Sequence, residues 1–168
     1  LKAYSQEGYK ITIKVDGIKD TSLLLTCYYG KKIKLVDTAY LTTKDTFVFK
    51  GGKKLAGGIY MAVTPLKSKL FEFIVGDDQH FMLHTDTLDY ALHMKVNNSD
   101  ENKVFYEYLK YNEGIYQQNR LLNAKIKELE PDSDESVAVR NQRDSLNKVS
   151  IDYKLRLIDQ NPELFVST

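Results

Sequence analysis

The chain has 168 residues, 24 of them basic and 23 acidic, giving a formal net charge of +1 and a hydrophobic fraction of 42%. That near-balance argues against nucleic acid, whose binding needs a clustered basic surface. No apolar run approaches the ~20 residues that cross a bilayer as a helix. The only cysteine, Cys27, rules out an intramolecular disulfide, a CxxC redox pair and a cysteine-rich zinc site within these residues.

The opening Leu1-Lys2-Ala3-Tyr4 has no Met, basic n-region or apolar h-region. Any signal peptide is therefore expected to have been removed or to lie upstream. Tyr9 to Asp16 alternates apolar and polar side chains without a fault, which predicts a strand with one dry face. Ser22 to Tyr29 is apolar on both faces and reads as a central strand. Gly30-Lys31 turns it into a strand over Lys32 to Val36. Lys44-Asp45 is a turn before Phe47-Val48-Phe49, and Ile59 to Val63 is the next strand, stopped by Pro65. Leu70 to Val75 comes next, with Phe71, Phe73 and Val75 on one face. Gly76-Asp77-Asp78 is expected to be a tight hairpin turn into Phe81 to Thr85. A last strand, Tyr90 to Val96, is expected to bring Tyr90, Leu92, Met94 and Val96 together. Eight short strands at this spacing predict an antiparallel β-sandwich or a partly open barrel.

The period changes at Asn97-Asn98-Ser99, any of which can cap a helix. Tyr108, Ile115, Leu122 and Leu129 lie seven apart, interleaved with Phe105, Asn112, Asn119 and Ile126. Pro131-Asp132 ends this helix, and Asp132 with Glu135 fits a cap for the next. The second helix is expected to show a stripe of Leu146, Val149, Tyr153 and Leu157. The short connection implies an antiparallel helical hairpin about 40 Å long. Asn161 as N-cap and Pro162 at the first helical position announce a third helix, with Leu164, Phe165 and Val166 as its first apolar contacts. The fold class is thus α+β, with residues 1–97 a β domain and residues 98–168 a hairpin and connector.

Residues able to carry chemistry are few. His80 and His84 share a strand face about 13 Å apart, too far for one ion without ligands from other strands; His93 is a candidate third ligand. Asp77, Asp78, Asp86 and Asp89 lack the loop order of a calcium site and read as turn residues. Cys27 reads as a buried, inert thiol on the face of Leu23, Leu25 and Tyr29. Lys31, Lys32 and Lys34 read as a solvated edge that discourages aggregation. Tyr28, Tyr40 and Tyr60 are candidates for stacking on a sugar, although sheet packing is the simpler use.

Tyr9 to Gly17, Val36-Asp37-Thr38-Ala39, Phe47 to Gly51, Gly58-Ile59-Tyr60, Phe71 to Val75 and Asn102 to Tyr108 together resemble a family of Bacteroidetes envelope proteins. In that family an N-terminal β-rich domain of unknown function precedes a helical segment and a thioredoxin-like domain. The resemblance implies export to the periplasm or an outer-membrane-anchored envelope location, often with a lipid anchor on an upstream cysteine. It also implies a C-terminal partner domain with a CxxC-type or peroxiredoxin-like site. No catalytic, cofactor-binding or metal residue transfers to this chain. Asp37 and Gly51 match the pattern and are expected to be structural, as a strand-end hydrogen bond and a turn with unusual backbone angles.

The function so expected is that of a non-catalytic module of a thiol-disulfide exchange protein. It would position the redox domain, dimerise through the hairpin or dock a partner protein. The alternatives are a glycan-binding module and a metal-dependent hydrolase using His80, His84 and His93.

Overall fold

The computed structural model describes residues 8–161; the expected third helix at Pro162 to Val166 lies outside them. The elements in order are β1 (Tyr9–Asp16), β2 (Ser22–Tyr29), β3 (Lys32–Tyr40), β4 (Phe47–Gly51), β5 (Gly58–Val63), β6 (Lys69–Val75), β7 (His80–Asp86), β8 (Lys95–Asn97), α1 (Asp100–Glu128) and α2 (Asp134–Gln160). The strands form two four-stranded sheets, ordered β4-β1-β7-β8 and β3-β2-β5-β6. They are not closed into a barrel. The chain divides between Tyr106 and Glu107 into two compact units.

The faultless alternation of β1 puts Ile11 and Ile13 at 0% exposure beside Phe47 and Phe49 of β4 and Leu83 of β7. Leu23 and Leu25 of β2, with Tyr60 and Ala62 of β5 and Phe71, Phe73 and Val75 of β6, build the facing layer. The layers meet at Phe73 and Phe81, whose rings stand edge to face at 6.0 Å. Each fully buried Phe contributes about 1.5–3 kcal/mol relative to leaving it in water.

Most pairs are antiparallel, as the short connections require. One is not: β1 runs parallel to β7, from Lys10 opposite His80 to Asp16 opposite Asp86. The expected hairpin at Gly76-Asp77-Asp78 is therefore absent. β6 pairs with β5, whereas β7 crosses to the other sheet. Gln79 secures this crossing: its amide accepts from Leu55 N and donates to Leu55 O and Gly76 O, while its own carbonyl accepts from Lys10 N.

The expected strand over Tyr90 to Val96 shrinks to Lys95–Asn97, because Asp89 Oδ1 captures the Ala91 and Leu92 amides and coils the preceding residues into a turn. Tyr90, Leu92 and Met94 alternate in sequence but do not share a strand.

Ser99 caps the start of α1, its hydroxyl accepting from Asn102 N. Asn102 is fully buried, and its side-chain amide pairs with β6 as another strand would. Oδ1 accepts from Ile74 N at 2.8 Å and Nδ2 donates to Ile74 O at 2.7 Å. One turn on, the Tyr106 hydroxyl donates to Glu72 O. These bonds close the β6 edge, and they are why the first turns of α1 belong with the strands, beyond the sequence boundary at residue 97.

In the second unit the two helices form a hairpin. Its antiparallel register is set by the stacked rings of Tyr111 and Tyr153 at 3.9 Å, the Asn119–Asn147 hydrogen bond and the Lys125–Glu135 ion pair. Tyr108, Asn112, Ile115, Asn119, Leu122 and Ile126 form the less exposed seam of α1, continued by Leu129 just past its end, as the heptad predicts. On α2 the seam is Ser136, Val139, Arg143, Leu146, Ser150, Tyr153 and Leu157. Val149 is 52% exposed and not part of the stripe. Asp132 does not cap α2: its backbone is left-handed, at φ 65, so Ser133 takes that place and accepts from Ser136 N. Asn161 closes the C-terminus of α2.

Candidate functional site

The three histidines do not converge. His80 and His84 project from β7 on the polar side of its sheet, whereas His93 lies in the turn before β8. Two of them are already engaged. His84 Nε2 sits 2.7 Å from Asp16 Oδ2, and His93 Nδ1 sits 2.7 Å from Asp86 Oδ2. The hydrogen bond from His84, reinforced by Lys14, holds the Asp16 carboxyl below the usual carboxylate range; the bond from His93 does the same for Asp86. The strand register also sets Lys10 beside His80, and Lys14 and Lys95 on either side of His84. A cation at that face would meet lysine charge from both neighbouring strands. Among the described residues no group of three His, Cys, Asp or Glu side chains is placed to hold a metal ion. Asp86 and Asp89 serve as turn residues, accepting from the Leu88 and Asp89 amides and from the Ala91 and Leu92 amides respectively.

Cys27 continues the face of Leu23 and Leu25 but is the last β2 residue paired with β5, and it is half-buried rather than buried. Tyr29, expected on the same dry face, is 73% exposed. Opposite Cys27 lies Tyr60, buried to 4% exposure and donating its hydroxyl to Ala56 O, which removes it as a sugar-stacking residue. Burial, then the neighbouring thiol, pushes the Tyr60 hydroxyl upward. Tyr28 and Tyr40 are open, at 51% and 71% exposure. The Tyr28 hydroxyl donates to Glu72 Oε1, which raises its own pKa.

Tyr9, Asp37 and Gly51, far apart in sequence, meet at one structural knot. The Tyr9 hydroxyl donates to Asp37 Oδ2 at 2.8 Å, tying β1 to β3 across the two sheets, and Asp37 Oδ1 accepts from Thr38 N. Burial and the Asp37 carboxylate push the Tyr9 hydroxyl up to about 12. Asp37 thus lies within β3 rather than at a strand end. Gly51 is needed for a different reason than expected. Its backbone is ordinary, but a Cβ there would sit 2.5 Å from Tyr9 Cε1.

Sequence reasoning missed Asp16 and Glu72 as partners, because each acts across strands that the sequence does not pair. It also missed the exposed apolar row of Ile33 and Leu35 beside Tyr28, although the Lys32-Ile33-Lys34-Leu35 alternation was its signal. No helix of the described residues is long and apolar enough to cross a membrane. Comparison with known proteins finds no matching family model, no matching curated protein and no matching solved structure.

Proposed function

We propose that the chain is a non-catalytic, amino-terminal module of a cell-envelope thioredoxin-like thiol-disulfide exchange protein, and that it works by binding and positioning. The observation that carries this reading is how its reactive side chains are used. His84 and His93 are held by Asp16 and Asp86, Tyr9 is held by Asp37, and Cys27 stands half-buried with no second thiol. The sandwich leaves open, among other places, a surface of tyrosine, aliphatic and lysine side chains along β2 and β3, which suits docking. In the hairpin, Tyr116, Leu121, Ile151 and Leu155 are each more than half exposed. They support association of two copies through the helices, for which a light-scattering mass near twice 19.4 kDa is the expected result.

Reading the gene beyond Thr168 tests the main proposal. A thioredoxin-like domain there is expected; a different domain or a stop codon overturns it. Exposed Tyr28, Tyr29 and Tyr40 favour glycan binding as the second reading. Quenching of tyrosine fluorescence by a soluble glycan is its test, and no change with any glycan class removes it.

A further inference from the structure

The two edges of the β3-β2-β5-β6 sheet are finished differently. At β6 the edge groups of Ile74 and Glu72 are bonded to the Asn102 and Tyr106 side chains. At the other end β3 pairs with β2 alone, and no strand of the described residues pairs with its outer side.

The side chains along this open edge alternate. Lys32 and Lys34 stand on one face; Ile33, 63% exposed, and Leu35, 56% exposed, stand on the other, where Tyr28 lies opposite Ile33. Lys31 adds a third charge at the turn. None of the ion pairs among the described residues uses Lys31, Lys32 or Lys34. Lysine on an edge strand blocks pairing with an identical copy, because like charges then face one another. Blocking alone leaves the exposed apolar row unexplained: a purely protected edge gains nothing from Ile33 and Leu35. An incoming strand with carboxylates over the lysines and apolar side chains over Ile33, Leu35 and Tyr28 satisfies both faces and the free main-chain groups together.

We propose that β3 is a docking edge for an extended segment of a partner protein in which acidic and apolar side chains alternate. The proposal goes beyond the module reading and does not depend on a thioredoxin-like domain in the same polypeptide.

The test uses a fluorescent peptide of roughly eight residues, a typical strand length, alternating glutamate with valine. Anisotropy measures its affinity, and amide hydrogen exchange locates it. Saturable binding with slowed exchange at Lys32 to Leu35 is expected. The Lys32→Glu, Lys34→Glu double variant should lose affinity by roughly tenfold or more and gain affinity for the same peptide with lysine in place of glutamate. That swap of preference, with amide protection again at residues 32 to 35, shows that the variant is folded. Equal binding of the acidic and basic peptides by the parent chain overturns the proposal. So does binding without protection at β3, displacement by heparin as effective as by unlabelled peptide, or β3 protection that rises with protein concentration alone.

Discussion

Replacing Asn102 with alanine tests the joint between strands and helix. In the folded chain this side chain satisfies Ile74 N and Ile74 O, bonds to Ser99 Oγ, and is wholly shielded from water. Truncation leaves two main-chain groups of β6 without their partners. Each buried orphan costs about 1–3 kcal/mol, and Ile74 is only half-buried, so the lower half of that range applies; the loss is about 2–4 kcal/mol. At about 4–8 °C per kcal/mol for a unit of this size, the melting temperature should fall by roughly 10–30 °C. Circular dichroism melts give the shift, and hydrogen exchange should show the Ile74 amide opening first. Asn102→Asp sharpens the test. It keeps the acceptor for Ile74 N but turns an oxygen toward Ile74 O, so the introduced carboxyl is favoured in its protonated, donating form. A carboxyl raised in this way stabilises below its unfolded value and loses that contribution as pH rises through the folded one. The variant should therefore be relatively better in acid. A loss under about 0.5 kcal/mol for Asn102→Ala, typical of an uninvolved surface site, means that Asn102 does not cap the β6 edge.

Gly51→Ala should drive the new methyl into the Tyr9 ring, costing about 1–3 kcal/mol as overpacking and breaking the Tyr9–Asp37 bond; a melt within error of the parent contradicts this. Tyr9, raised to about 12, contributes stability below the ordinary tyrosine value near 10 and loses it as pH climbs toward 12. Tyr9→Phe should flatten the stability profile in that alkaline window, and an unchanged slope in urea melts counts against the assignment. His84→Ala should let Asp16 titrate closer to the ordinary carboxylate range, read from its side-chain carbon shift by NMR; an unmoved midpoint means that His84 is not the cause.

Much of the sandwich was legible because burial imposes period two on a strand. Ile11, Ile13, Phe47, Phe49, Phe71 and Phe73 fall inside where alternation puts them. Partnership was not legible. Nothing in His80 to Asp86 announces that it runs parallel beside β1, since a strand's own pattern is silent about which strand it meets. Tyr90, Leu92 and Met94 mimicked a strand, while the deciding groups were the carboxylates of Asp86 and Asp89, which offer the backbone amides a local alternative. Asn102 was hidden for a related reason. A polar residue in the first turn of a helix reads as solvated, and only the position of β6 makes it an edge cap. The open surface was half legible: the lysines of residues 31–34 were seen as a charged edge, but the exposure of Ile33 and Leu35 needed the strand order.

On the module reading the chain binds and positions, while chemistry resides elsewhere in its polypeptide. Disulfide reduction by the polypeptide of the full reading frame, compared with its Cys27→Ser variant and with residues 1–168 alone, measures this directly. Full activity is expected in the variant and none in residues 1–168. Activity that disappears with Cys27, or that residues 1–168 retain alone, contradicts the reading.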